Sequence, residues 1–119
     1  MGFRTWVKRW FSHRGKALSL YRSGMAKANK RDYAGAIADY SAAIQAPNIP
    51  KDVKAMAVYN RALAYSAMHE DDKAAEDLAA VLEMPGLPAN IKTHAQQRRE
   101  WIRQRDAKRA DRAAQREHG

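Results

Sequence analysis

The densest run of chemistry-bearing side chains in this 119-residue sequence is His69-Glu70-Asp71-Asp72. Three carboxylates beside an imidazole could hold a hard cation, and a histidine next to a carboxylate could move a proton. The cluster sits between two apolar-periodic segments, however, where a polar turn is expected on solvation grounds alone. Acids at Asp71 and Asp72 also favour the start of a following helix. The other histidines, His13, His94 and His118, are scattered, and none stands four residues from a histidine or carboxylate in a metal-site pattern. With no cysteine, thiolate ligands and disulfides are excluded. There is no glycine-rich phosphate loop and no nucleophile motif. Metal binding, cofactor binding and catalysis are therefore not expected.

A different chemistry stands in the first eleven residues, MGFRTWVKRWF. On a helical wheel Phe3, Trp6, Val7, Trp10 and Phe11 share one arc of about 140°. Arg4, Lys8 and Arg9 lie beside or opposite that arc, and Ser12-His13-Arg14-Gly15 is expected to break the pattern. Three readings compete. The aromatic face docks on the body of the protein or on a second copy, forming a homo-oligomer; it lies on an anionic membrane surface; or it is a targeting segment, since organelle presequences share its composition. It is not a secretory signal, because it lacks an apolar core. The myristoylation pattern fails at Trp6.

The elements that carry these groups follow from composition and repetition. Mean hydropathy is −0.73 and 29% of residues are charged, so the chain reads as soluble, with its expected location cytoplasmic and membrane association and organelle targeting left open. The net charge of +9 is uneven. Residues 1–31 hold nine Lys/Arg and no acid, residues 32–92 hold five basic against nine acidic, and residues 93–119 hold eight against four. Basic ends on an acidic middle make the high pI a weak argument for nucleic acid, which stays a minor reading.

Shifting the chain by 38 positions aligns residues 17–54 with 55–92 without a gap. Tyr21 falls on Tyr59, Ala36 on Ala74, Asp39 on Asp77, Pro47 on Pro85 and Pro50 on Pro88. Each unit reads as two helices. Leu18, Tyr21, Met25 and Ala28 step at helical spacing before the turn at residues 29–32, and Ala36, Ile37, Tyr40, Ala43 and Ile44 follow until Pro47. Small residues at Gly24, Ala36, Ala62 and Ala74 mark where paired helices approach closely. Continuing the register, Thr93 begins a helix with Ala95, Trp101 and Ile102 as anchors and no partner after it. This is the polar cap that a repeat array needs. Its last turns are expected to project, either as a solvated helix held by pairs such as Asp106/Arg109 and Lys108/Asp111 or as a basic arm for an acidic partner.

The stretch SLYRSGMAKANKRDYAGAIADYSAAI (19–44) resembles the tetratricopeptide repeat (TPR), through Gly24, Asp32-Tyr33, Ala36, Tyr40 and Ala43. YNRALAYSAMHEDDKAAEDLAAVLEMP (59–85) resembles it through Ala62, Tyr65, Ala74 and Leu78, with Asp71 where an aromatic is usual and Val81 in place of alanine. The period of 38, against about 34, places the extra residues in the PNIPKDVK and PGLPANIK connections. The resemblance implies an all-α fold, a short α-solenoid of antiparallel helix hairpins. Its organisation would be an N-terminal segment (1–15), two hairpins (16–92) and a capping helix with a basic tail (93–119).

The resemblance also implies a function: a protein–protein interaction module, an adaptor or assembly factor, whose first helices line a concave face. Carried over residue by residue, that face would include Tyr21, Arg22, Met25 and Asn29, then Tyr59, Asn60 and Leu63, then Arg98 and Trp101. Tyrosine and methionine offer adaptable apolar area, while Asn and Arg orient a peptide backbone or carboxylate. Tyr21 and Tyr59 could equally pack between units. Some TPR proteins clamp a chaperone's C-terminal carboxylates with Lys, Asn, Asn, Lys and Arg. Only Asn60 and Arg98 match here, with Tyr21, Met25 and His94 at the other places, so that ligand is not expected.

Overall fold

The structure is a computed structural model that describes the backbone of residues 2–118 and the side chains of residues 15–118. Five helices follow one another: α1 (Gly2–Asn29), α2 (Tyr33–Gln45), α3 (Lys51–Ala67), α4 (Asp71–Leu82) and α5 (Ala89–His118). Each packs on the next in order, and among the described residues there is no strand. The architecture is all-α, a row of antiparallel helix hairpins.

The 38-residue period is written into the backbone. α2 and α4 begin 38 residues apart, as do α3 and α5, and α1 and α3 end 38 apart. Residues with positive φ repeat at the same interval: Arg31 (65°) with His69 (61°), and Asn48 (58°) with Gly86 (74°). The first pair ends a first helix in the left-handed conformation that releases the chain from the helix. The Asp32 amide then donates to the Lys27 carbonyl at 2.9 Å, and the Glu70 amide to the Tyr65 carbonyl at 2.9 Å. The prolines act at both ends of the connections. Helix α2 ends before Pro47 and α4 before Pro85, while Pro50 and Pro88 accept the first helical bonds of α3 and α5 from Lys54 and Lys92 at 2.9 and 3.0 Å.

Packing repeats with one exchange of volume. Ala36, Tyr40 and Ala43 are buried in the first unit, and Ala74, Leu78 and Val81 in the second. A Cβ at Gly24 would stand 2.6 Å from Tyr40 Cε1, so the larger ring at position 40 demands the missing side chain across the hairpin. In the second unit Leu78 is smaller, and the place of Gly24 is taken by the buried Ala62. On α5, Ala95 and Ile102 are buried 38 residues after Ala57 and Ala64. Thr93, Gln96 and Glu100, which succeed the buried Ala55, Val58 and Ala62, are exposed. The face that would take another helix is thus polar, which ends the array.

Three expectations need correction. Ser12–Gly15 does not interrupt a helix, because α1 runs through it and across the expected boundary at residue 15. One interior glycine costs about 1 kcal/mol, too little to stop a helix that meets no proline. Helix α5 starts at Ala89, four residues before Thr93, because Pro88 repeats the helix-opening role of Pro50. The pairs Asp106/Arg109 and Lys108/Asp111 are not formed; Arg109 instead reaches Asp71 at 3.6 Å. The aromatic face of Phe3, Trp6, Val7, Trp10 and Phe11 lies outside the residues whose side chains are described.

Candidate interaction site

First helices α1, α3 and α5 stand in one row, and their side chains form two clefts at the two junctions. The first, about 370 Å³, is lined by Met25, Ala28 and Asn29 of α1, Tyr33 and Tyr40 of α2, and Asn60, Leu63, Ala64 and Ala67 of α3. The second, about 290 Å³, is lined by Tyr59 of α3 and by His94, Gln97, Arg98 and Trp101 of α5. The difference between the junctions follows from the register. Leu63, Ala64 and Ala67 succeed to Trp101, Ile102 and Arg105 one period later. The smaller side chains give the first junction the larger of these two clefts, and the larger ones narrow the second.

The expected site residues divide between these clefts. Met25, Asn29, Asn60 and Leu63 come together in the first, Tyr59, Arg98 and Trp101 in the second. Arg22 is exposed and lines neither. Tyr21 bridges the helices: Asn60 Nδ2 donates to its hydroxyl at 3.0 Å, and its ring lies 6.1 Å from that of Tyr40. Burial raises the Tyr21 phenol above its ordinary value, partly offset by the Asn60 hydrogen bond, so the ring stays neutral at physiological pH. Burial, with Tyr21 and Asp39 beside it, pushes the Tyr40 hydroxyl up to about 12. Tyr59 packs partly on the core cluster around Val58 and Leu78 while also lining the second cleft. Both tyrosines therefore join units and face a cleft.

Trp101 is the large hydrophobic side chain at the second junction that stays 43% exposed. Guanidiniums of Arg98 and Arg105 stand 5.2 and 4.5 Å from its ring centre, within cation–π range. A recess of about 420 Å³ continues from it along α5, lined by Gln104, Arg105, Lys108, Arg109 and Arg112.

Two charged clusters have no counterpart in the sequence reading. Arg61 of α3 makes a bidentate pair with Asp77 of α4, at 2.8 Å on both arms, and donates to Ser41 Oγ of α2 at 3.1 Å. The Asp77 hydrogen bonds push the Arg61 guanidinium above its ordinary value, against the opposing effect of burial. Thirty-eight residues earlier the same place holds Ser23, whose hydroxyl donates to Asp39 at 2.6 Å, with Lys27 at 3.0 Å. The Ser23 hydrogen bond, with Lys27 adding to it, holds the Asp39 carboxyl below the usual range against burial. The identity of Asp39 and Asp77 across the repeat was the visible signal of this shared pairing.

The second cluster revises the reading of residues 69–72. Asp71 is not a solvated turn residue but is 4% exposed, gripped by Arg105 of α5 at 3.0 and 2.5 Å. The first unit has Tyr33 at this position, sharing the first cleft with Ala67. Where the first junction has an aromatic and an alanine lining a cleft, the equivalent positions of the next hold a carboxylate bound to an arginine. Glu70, Asp71 and Asp72 line one recess of about 260 Å³ with His69, Lys73, Asp106 and Arg109, but among the described residues no three His, Cys, Asp or Glu side chains form a group that could hold a metal ion.

No protein-family model matches the chain, and neither a curated protein nor a solved structure matches it.

Proposed function

We propose that the chain is a TPR-like protein–protein interaction module without enzymatic activity, an adaptor or assembly factor that takes a partner segment between its first helices. The observation that supports this reading is the open first cleft. There Met25 and Leu63 offer apolar area, and the exposed Asn29 offers an amide for a peptide backbone. Asn60 uses one amide donor on Tyr21, so its role in the groove is to hold α1 to α3. Selection of a random linear-peptide library on the full chain is the test. Enrichment of related sequences is expected, with affinity of the synthesised peptide at least about tenfold weaker for Met25→Ala/Leu63→Ala. Absence of enrichment, or unchanged affinity in a variant of native helicity, overturns the groove.

A second reading is a peripheral membrane protein. It draws on the continuity of α1 from Gly2 to Asn29, which extends the basic, aromatic first residues as part of one helix. Among the described residues no helix is long and apolar enough to cross a membrane, so such a contact would lie in the surface plane. Flotation with anionic liposomes, lost when the chain starts at Lys16, separates this reading from the first.

A further inference from the structure

We propose that the chain pairs with a second copy of itself, the projecting half of α5 lying antiparallel along α4 of the other copy. The basic side of α5 is the starting point. At 100° per residue Arg98, Arg105, Lys108, Arg109, Arg112 and Arg116 share an arc of about 100° and a length of about 27 Å. The acids of α5, Glu100, Asp106, Asp111 and Glu117, all fall outside that arc. Arg105 and Arg109 are engaged by Asp71, whereas Lys108, Arg112 and Arg116 make no salt bridge among the described residues.

Helix α4 carries the complement. Asp72, Glu76 and Glu83, the last its C-cap residue in helical conformation, share an arc of about 40°. This arc lies opposite the buried Ala74, Leu78 and Val81, and all three acids are exposed without a salt bridge among the described residues. The interval of four matches: 72 and 76 are spaced as 116 and 112, and as 112 and 108, when the helices run antiparallel. Glu83 falls beyond these cations toward Arg105, which its own Asp71 already holds. The lengths match as well, since residues 106–118 extend about 20 Å and α4 about 18 Å. Reciprocal pairing of two copies satisfies both stripes at once, as a two-fold interface requires.

The arrangement discriminates against other polyanions. A helix seated in a nucleic-acid groove meets phosphate on both flanks, where Asp106 and Asp111 would be repelled. Insertion at a lipid surface needs an apolar face, and α5 offers only Trp101 beside the cations. A flat, one-sided acidic helix is what the stripe fits.

Sedimentation velocity of the full chain tests this. At about 20 mM salt a doubling of mass is expected, reverting to monomer near about 0.5 M as the pairs are screened. Lys108→Glu/Arg112→Glu/Arg116→Glu and Asp72→Lys/Glu76→Lys/Glu83→Lys are each expected to be monomeric alone. Mixed together at low salt, the two charge-reversed chains are expected to form a heterodimer, an outcome that misfolded variants would not give. A monomer at every salt concentration overturns the proposal, as does a dimer that survives either reversal. So does a monomer that binds a labelled duplex oligonucleotide through Lys108, Arg112 and Arg116.

Discussion

Asp71 shows how much one side chain's chemistry depends on a neighbour far along the chain. Read locally it is a helix-starting acid in a polar turn; in the fold it is buried beneath Arg105, 34 residues away. Removing the bidentate partner leaves the buried Asp71 with only the more distant Arg109 at 3.6 Å, so Arg105→Ala is expected to destabilise the protein by about 2 kcal/mol, below the full cost of an unpaired buried charge. Asp71→Tyr/Arg105→Ala places at the second junction the residue types that stand at the equivalent positions of the first, Tyr33 and Ala67, and removes both charges together. It is expected to recover most of that loss, because exchanging a buried ion pair for packed apolar groups is often neutral. Urea denaturation of the three proteins checks this, and a double variant as unstable as Arg105→Ala contradicts it. The donor–acceptor couples Ser23/Asp39 and Arg61/Asp77 teach the same lesson. A repeated aspartate was visible in the sequence, but its two different partners were not, since they are set by which residue α1 or α3 presents across the hairpin.

At the scale of the helix, the ends of the second helices were legible, because Pro47 and Pro85 close them. The starts were not, since Pro50 and Pro88 open α3 and α5 inside stretches read as connections, and the positive-φ residues 31, 48, 69 and 86 sit in the turns. The close approach at Gly24 was also legible from residue size, although its partner Tyr40 was not. Gly24→Ala gains about 1 kcal/mol of helix propensity but forces a methyl into a fully buried ring, which costs about 1–3 kcal/mol. A net destabilisation of about 1 kcal/mol is expected. Gly24→Ala/Tyr40→Leu reproduces the Ala62/Leu78 pair of the second hairpin and is expected to be less destabilised than either change taken additively. A double-mutant cycle by thermal denaturation measures that coupling. The N-terminal break failed as an expectation for the converse reason. A single glycine and short polar residues weaken a helix without supplying the proline or capping geometry that would end it.

For the whole molecule, stability is concentrated where helices stack and thins toward the end of α5. The buried residues of α5 are Ile91, Ala95 and Ile102, and residues 106–118 are all exposed. Truncation after Arg105 is therefore expected to leave the melting temperature nearly unchanged at high salt, whereas truncation after Gln97, which removes Ile102 and the grip on Asp71, is expected to abolish cooperative unfolding. Circular dichroism melts separate the two outcomes. The sequence by itself determined the all-α class, the 38-residue unit, the hairpin order and the polar end of the array. Each of these is encoded in periodicity, residue size and proline placement within a single unit. Which clefts stay open, which carboxylates are buried and which cations are engaged was decided only by tertiary structure. Those properties depend on the pairing of side chains from different units, and a register that is identical at both junctions gives a cleft of about 370 Å³ beside Leu63, Ala64 and Ala67 but about 290 Å³ beside Trp101.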